Sequence, residues 1–237
     1  MHSPDETGVT LRTVSIPVGD ETVAGLRYVP PTEGPSPVVL MATPYRAHDR
    51  ITFGSYDPSL RYFAAHGYEV VAADLVGTGA STGRKPTSFG PEEGQELVAV
   101  IEWLADREWS TGDVGMFGKS YGGWTQLRAA VERPPALKAI VPVSIANSQY
   151  AVARPGGAFN FLRSTMWATQ MQASQALPAS TRDPDGRWAA IWTERLDSLR
   201  EARPWLFNSL DHDTFDSYWE DREIPVERID VPTFAVC

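Results

Sequence analysis

The chain has 237 residues, 42% hydrophobic and 22% charged, which suits one large α/β domain with an ordinary apolar core, or one domain with an insertion. A formal net charge of -9, with basic residues that are mostly arginine and scattered singly, disfavours nucleic acid as a partner. The one cysteine, Cys237, excludes an intrachain disulfide framework and a cysteine-based metal site. Met1-His2-Ser3-Pro4-Asp5-Glu6 lacks the basic and apolar stretches of a secretory signal, and no apolar run approaches the ~20 residues of a membrane span. A cytoplasmic protein is the expectation.

In chain order, the alternation of Val9, Leu11, Val14, Ile16 and Val18, then Val23, Gly25, Leu26 and Tyr28, predicts an antiparallel hairpin turning at Gly19-Asp20. Pro30 to Pro37 is a breaker-rich loop. Val38-Val39-Leu40-Met41-Ala42 is a continuous apolar run, as in a strand buried on both faces. Leu60 to His66 reads as a short helix ended by Gly67. Tyr68 to Asp74 is the next buried strand. Pro91 opens a helix whose Glu92 and Glu93 suit its positive end, and whose Leu97, Ile101, Leu104 and Ala105 form the apolar stripe. Val114 to Phe117 is a third buried strand, Tyr121 to Glu132 a helix stopped before Pro134-Pro135, and Ala139 to Val143 a fourth strand.

Strands alternating with helices imply a mostly parallel sheet covered on both faces. The pattern then changes. Residues 148–224 are rich in Trp, Gln, Arg and Asp, with helices expected over Phe161–Ala176 and Arg187–Ala202, and read as a helical cap over a core of residues 1–147. Residues 225–237 return to the sheet, with a strand from Val231. That strand stops without a polar tail or docked helix, so the C-terminal part of the fold is expected to be missing.

The chemistry centres on Val114-Gly115-Met116-Phe117-Gly118-Lys119-Ser120-Tyr121-Gly122-Gly123, a strand, a sharp turn and a helix with Ser120 inside G-x-S-x-G. This is the nucleophile elbow of the α/β-hydrolase fold: a strained bend that lifts a serine hydroxyl clear of the sheet. A side chain at Gly118 or Gly122 is expected to clash with the neighbouring strand or helix. The helix behind Ser120 offers free N–H groups, which places the Tyr121 N–H to stabilise an oxyanion. The rival reading is a Gly-Ser turn without chemistry; the strand before, the helix after and the βα units upstream weigh against it.

Three stretches carry a family resemblance: Thr43-Pro44-Tyr45-Arg46, Asp74-Leu75-Val76-Gly77-Thr78-Gly79-Ala80-Ser81-Thr82-Gly83, and Gly118-Lys119-Ser120-Tyr121-Gly122-Gly123-Trp124. Together with the Trp-rich cap they resemble the cocaine-esterase-like branch of the Xaa-Pro dipeptidyl-peptidase superfamily, which also contains glutaryl acylases and α-amino-acid ester hydrolases. The resemblance implies a serine hydrolase without metal or organic cofactor, acting on a small ester, an amide or a short peptide. It implies that the Tyr45 hydroxyl donates into the oxyanion hole. Val76 stands where the family usually has arginine, a departure expected to weaken an ion pair and loosen the loop. Trp124, Phe161 and Trp167 are candidate walls of an acyl pocket; their alternative is packing between cap and sheet.

The base is the gap. In this fold the order is Ser, then Asp or Glu, then His, and the resemblance puts both partners beyond Cys237. His212, between Asp211 and Asp213, reads as a solvated cap histidine; His66 suits a helix C-terminus; His48, near Tyr45, is a candidate for the pocket lining. The expectation is a hydrolase by ancestry, weak or inactive as these 237 residues. Two other function classes compete with this reading. Gly77-Thr78-Gly79-Ala80-Ser81-Thr82-Gly83 follows a strand like a dinucleotide loop, but its spacing is wrong for one. A non-catalytic binding protein on a hydrolase scaffold stays open.

Overall fold

The computed structural model describes residues 7–48, 50–179 and 186–237, and the side chains of these except 50–54. Residues 1–6, read above as lacking a signal, lie outside the described residues. The hairpin of β1 (Thr10–Val18) and β2 (Glu21–Val29) pairs Val18 with Glu21 across Gly19-Asp20, with Gly19 at φ 57°. Only a residue without a Cβ takes that conformation cheaply.

Four parallel strands follow: β3 (Ser36–Thr43), β4 (Glu69–Asp74), β5 (Ser110–Lys119) and β6 (Leu137–Val143). The sheet runs β1-β2-β4-β3-β5-β6, with β2 antiparallel to β4. The crossovers are α1 (Arg50–Ala65), α2 (Glu92–Ala105) and α3 (Tyr121–Glu132). Alternating side chains of the central strands feed two cores, as the pleat requires. Val38, Leu40, Ala42, Val71 and Ala73 face α2 and α3, where Leu97, Ile101, Leu104, Ala130 and Val131 meet them. Val39, Met41, Val70 and Ala72 face α1 through Leu60 and Ala64.

The α1 helix is longer than expected. The helix was expected to begin at Leu60, yet it begins at Arg50 and Pro58 lies inside it. Proline lacks the N–H for the bond one turn back, but the backbone continues. Gly67 (φ 90°) ends the turn, its N–H donating to Ala64 O.

After β6 the described chain is helical: α4 (Gln149–Ala153), α5 (Phe161–Ala176), α6 (Trp188–Glu201), α7 (Trp205–Asp211) and α8 (Ser217–Glu220), with 3-10 turns at Pro155–Gly157 and Val226–Arg228. Buried arginines tie this block to the sheet. Arg195 of α6 donates to Gly79 O (2.6 Å) and Ser81 O (2.7 Å). Arg46 reaches Ser174 O (2.9 Å), Leu177 O (3.2 Å) and Pro178 O (2.5 Å) at the end of α5. Residues 232–236 then run parallel to β6: Ile140 N–H donates to Pro232 O, Phe234 N–H to Ile140 O, and Val236 N–H to Pro142 O. Among the described residues no helix is long and apolar enough to cross a membrane.

Candidate active site

Strand β5 ends at Lys119 and α3 begins at Tyr121, so a single residue makes the bend. That residue, Ser120, has φ 59° and ψ -120°. A non-glycine side chain in this region costs on the order of 1–3 kcal/mol and persists only where its surroundings enforce it. Here Ser120 N–H donates to Val143 O on the neighbouring strand, and Ser120 O accepts from Gly123 N–H and Trp124 N–H. The bend is clamped at both ends.

The glycines divide the steric work differently from expectation. A Cβ on Gly118 would lie 2.9 Å from Gly122 O and 3.1 Å from Gly122 Cα, a clash with backbone. A Cβ on Gly122 would meet only Ala42 O, at an ordinary 3.8 Å. The second crowded position is Gly123, where a Cβ would lie 2.7 Å from Ile145 Cγ2. Gly118 thus sets the close approach of the turn to α3, and Gly123 that of α3 to the end of β6 and Ile145; Gly122 does neither.

Tyr45 leaves the end of β3 and brings its hydroxyl to 3.3 Å from Ser120 Oγ. Trp167 of α5 donates from Nε1 to the same hydroxyl at 3.4 Å, and the rings of Tyr45 and Tyr121 meet edge to face at 6.2 Å. Tyr121, as the first residue of α3, has no acceptor for its N–H within the helix. Ser120 and Tyr45 open on a cavity of ≈ 130 Å³ between sheet and helical block, walled by Phe89, Trp167, Trp205 and Trp219, with Arg163 and Arg222 also in its lining. A serine hydroxyl on a helix N-terminus, facing a phenol donor in an aromatic cleft, can attack a carbonyl and hold the resulting oxyanion.

Of the three aromatic residues expected to line the pocket, only Trp167 does so. Trp124 is fully buried beneath the elbow, its ring edge-on to Phe89 at 5.3 Å and under the Arg128 guanidinium. Phe161 is 62% exposed and is absent from the cavity wall. It opens α5 six residues before Trp167, and at 3.6 residues per turn that spacing puts it about 120° round the helix from Trp167, away from the cleft. His48 also misses the cavity: it is buried, with Nδ1 3.6 Å from Asp74 Oδ2. His66 lies at the end of α1 with Nδ1 2.7 Å from Tyr62 O. His212 is held by Asp216 at 2.6 Å and stacks on Tyr218. Among the described residues, no histidine lines the cavity.

Val76 does not leave its loop slack. Asp74 accepts from Ala47 N–H (2.5 Å) and Ala80 N–H (2.9 Å). Ser81 Oγ donates to Asp74 O, and Ala24 N–H donates to Ser81 Oγ. Arg195, reaching in from α6, closes the loop from above. Val76 itself packs against the main core and donates its N–H to Glu96 Oε1 at 2.7 Å.

The residues missed in the sequence lie just under the site. Glu93, read as a partner for the helix dipole, is fully buried, because it sits four before Leu97 on the inward stripe of α2. Its Oε1 lies 2.9 Å from Lys85 Nζ and 2.5 Å from the Tyr121 hydroxyl. Burial, then the charge of Glu93, drives the Tyr121 phenol well above its ordinary range. Burial likewise, followed by repulsion from Tyr45, pushes Tyr56 up to about 12.

Comparison with known proteins agrees with this architecture. The family described as X-Pro dipeptidyl-peptidase (S15 family) matches residues 23–237. A cocaine esterase from Rhodococcus sp. (strain MB1 Bresler) is 31% identical over 214 residues, covering 81% of this chain and 37% of the esterase. An Xaa-Pro dipeptidyl-peptidase from Lacticaseibacillus casei (strain BL23) is 39% identical over 111 residues, 40% of this chain and 14% of the peptidase. A CocE/NonD family hydrolase from Staphylococcus aureus superposes with a TM-score of 0.73 at 25% identity, over 94% of this chain and 40% of that one. An aminopeptidase from a marine sediment Thaumarchaeota archaeon shares the fold, with a TM-score of 0.76 at 22% identity over 99% of this chain and 44% of its own. The chain therefore spans well under half the length of these relatives, and its fold is that of an α/β-hydrolase. With nearly its whole length matched, this chain belongs to the X-Pro dipeptidyl-peptidase (S15) family.

Proposed function

We propose that this chain carries the nucleophile half of a serine hydrolase that transfers acyl groups from a small ester, an amide or a short peptide. Ser120 Oγ attacks the carbonyl, the Tyr45 hydroxyl and the Tyr121 N–H receive the oxyanion, and water releases the acyl group from Ser120. Residues 148–224 act as the cap, and Trp167, on α5, forms one wall of the acyl pocket. The observation that carries this reading is the Tyr45 hydroxyl 3.3 Å from a serine held at φ 59°.

Attack needs a proton acceptor, and no histidine among the described residues lines the cavity. These 237 residues alone are therefore expected to turn over substrate weakly or not at all, since losing the base of such a unit costs several orders of magnitude. What remains is the oxyanion site, which by itself sustains roughly 10³–10⁴-fold over water in related chemistry. The same observation keeps a non-catalytic binding role as the second reading.

The test is covalent. A fluorophosphonate probe is incubated with the protein and with Ser120→Ala, and the adduct is located by peptide mass spectrometry. Slow labelling confined to Ser120, absent in the variant, is expected. Labelling scattered over surface serines would favour the binding role, and a stoichiometric burst of ester hydrolysis would contradict the weak-turnover half.

A further inference from the structure

Beneath the elbow lies a group of titratable side chains that the acyl-transfer steps do not use. Lys85 and Glu93 have side chains only 4% and 0% exposed, and Tyr121 is equally buried. The phenol of Tyr121 donates to Glu93 Oε1 at 2.5 Å, Lys85 Nζ lies 2.9 Å from the same oxygen, and the phenol oxygen accepts the Phe89 N–H at 2.7 Å. Replacing a buried ion pair by apolar side chains of the same volume is often neutral or stabilising, so this pair is weak evidence for stability and its hydrogen-bond geometry is what stands out.

The geometry it fixes is that of the site. Tyr121 directly follows Ser120, so anchoring its phenol also anchors the main-chain N–H assigned above to the oxyanion. Phe89 stands at φ 58°, a conformation an L-residue adopts only when held. Its amide is held by the Tyr121 hydroxyl. Its ring stacks on Tyr121 at 4.1 Å and 16° and on Trp167 at 5.3 Å and 25°, and it forms part of the cavity wall. One carboxylate oxygen thus ties the oxyanion donor and the pocket wall to a single point.

We propose that Lys85 and Glu93 are positioning residues: through the Tyr121 phenol they lock the Tyr121 N–H and the Phe89 wall in the geometry that acyl transfer needs. The proposal rests on the serine-hydrolase reading. The charge states support it. Burial alone would lower Lys85, but the charges of Glu93 and Glu96 raise it above its ordinary value, so it stays a cation. Tyr121 stays a proton donor at every working pH.

The test measures phosphonylation of Ser120 against probe concentration, separating the maximal rate constant from half-saturation. Two variants are compared with the unsubstituted chain: Tyr121→Phe, and the apolar pair Lys85→Met/Glu93→Leu, which removes both charges of the ion pair together. Each should lower the maximal rate about tenfold with half-saturation unchanged, the size of effect that small misplacements in a reacting site produce. Combining all three changes should slow labelling no further, because they break one unit. Amide hydrogen exchange at Phe89 should accelerate in both variants, with the β1–β2 hairpin unaffected. Wild-type labelling rates in either variant would overturn the proposal, as would a loss confined to melting temperature. If Ser120 of the unsubstituted chain takes no probe, the hydrolase reading itself fails and this inference falls with it.

Discussion

A hydroxyl becomes a candidate nucleophile here through its backbone. Ser120 occupies the one position between strand and helix, and the two clamps on its own N–H and C=O keep it in an unfavourable region of φ/ψ space. This was legible in the sequence, because Gly118, a preceding apolar strand and a following helix leave few other conformations for the segment. Trp124 and Phe161 were not legible. An aromatic residue near a nucleophile has the same composition signal whether it lines a pocket or fills a core. Only the rotation of its helix decides: Trp124 turns inward onto Phe89, and Phe161 turns outward to solvent.

Glu96 yields a prediction at the same scale. Burial, first, pushes its carboxyl up to about 7 from an ordinary 4.5, with Lys85 and the Val76 N–H pulling the other way. A carboxyl raised in the folded state contributes stability that is fully present below 4.5 and is lost as pH rises through about 7. Glu96→Gln keeps the oxygen that accepts from Val76 N–H and never ionises. Its stability relative to the unsubstituted chain should therefore improve between pH 5 and pH 8, by about 3 kcal/mol at the upper end. Urea unfolding at several pH values reads this directly, and parallel curves for the two proteins would refute it.

At the scale of elements, the sheet and its crossovers were readable because apolar runs of strand length alternate with helical stripes and Gly or Pro breaks. The length of α1 was not, since Pro58 marks a helix start far more often than a helix interior. The helical block was seen as helical but not how it is fastened. Its fastenings are arginine-to-carbonyl bonds between segments more than 100 residues apart, such as Arg195 with Gly79 and Ser81, and no local pattern encodes them. Burial holds the Arg195 guanidinium down to about 10, still protonated at neutral pH. Arg195→Met should leave two carbonyls without these donors and cost about 2 kcal/mol, roughly 4–8 °C in melting temperature for a chain of this size. Proteolysis should then begin in the helical block. An unchanged melting temperature would mean that these bonds do not fasten it.

For the whole molecule, three features converge on the edge of the sheet where β3 and β5 end. The β3 end delivers Tyr45, the β5 end delivers Ser120, and α5 places Trp167 over both. Tyr45 and Ser120 lie in motifs that are contiguous in sequence, whereas Trp167 was named only as one of three candidate walls, and its meeting with Tyr45 depends on how the helical block docks. The family match over residues 23–237 fits this layout, as does the superposition on hydrolases more than twice as long.

The Tyr45 hydroxyl and the Tyr121 N–H are proposed above to form one receptor for negative charge beside Ser120. A crystal structure of the Ser120 phosphonate adduct tests it most directly. The phosphonyl oxygen should lie about 2.7–3.1 Å from both donors, and Tyr45→Phe should slow adduct formation roughly a hundredfold. An adduct whose oxygen faces solvent, with Tyr45→Phe reacting at the unsubstituted rate, would contradict it.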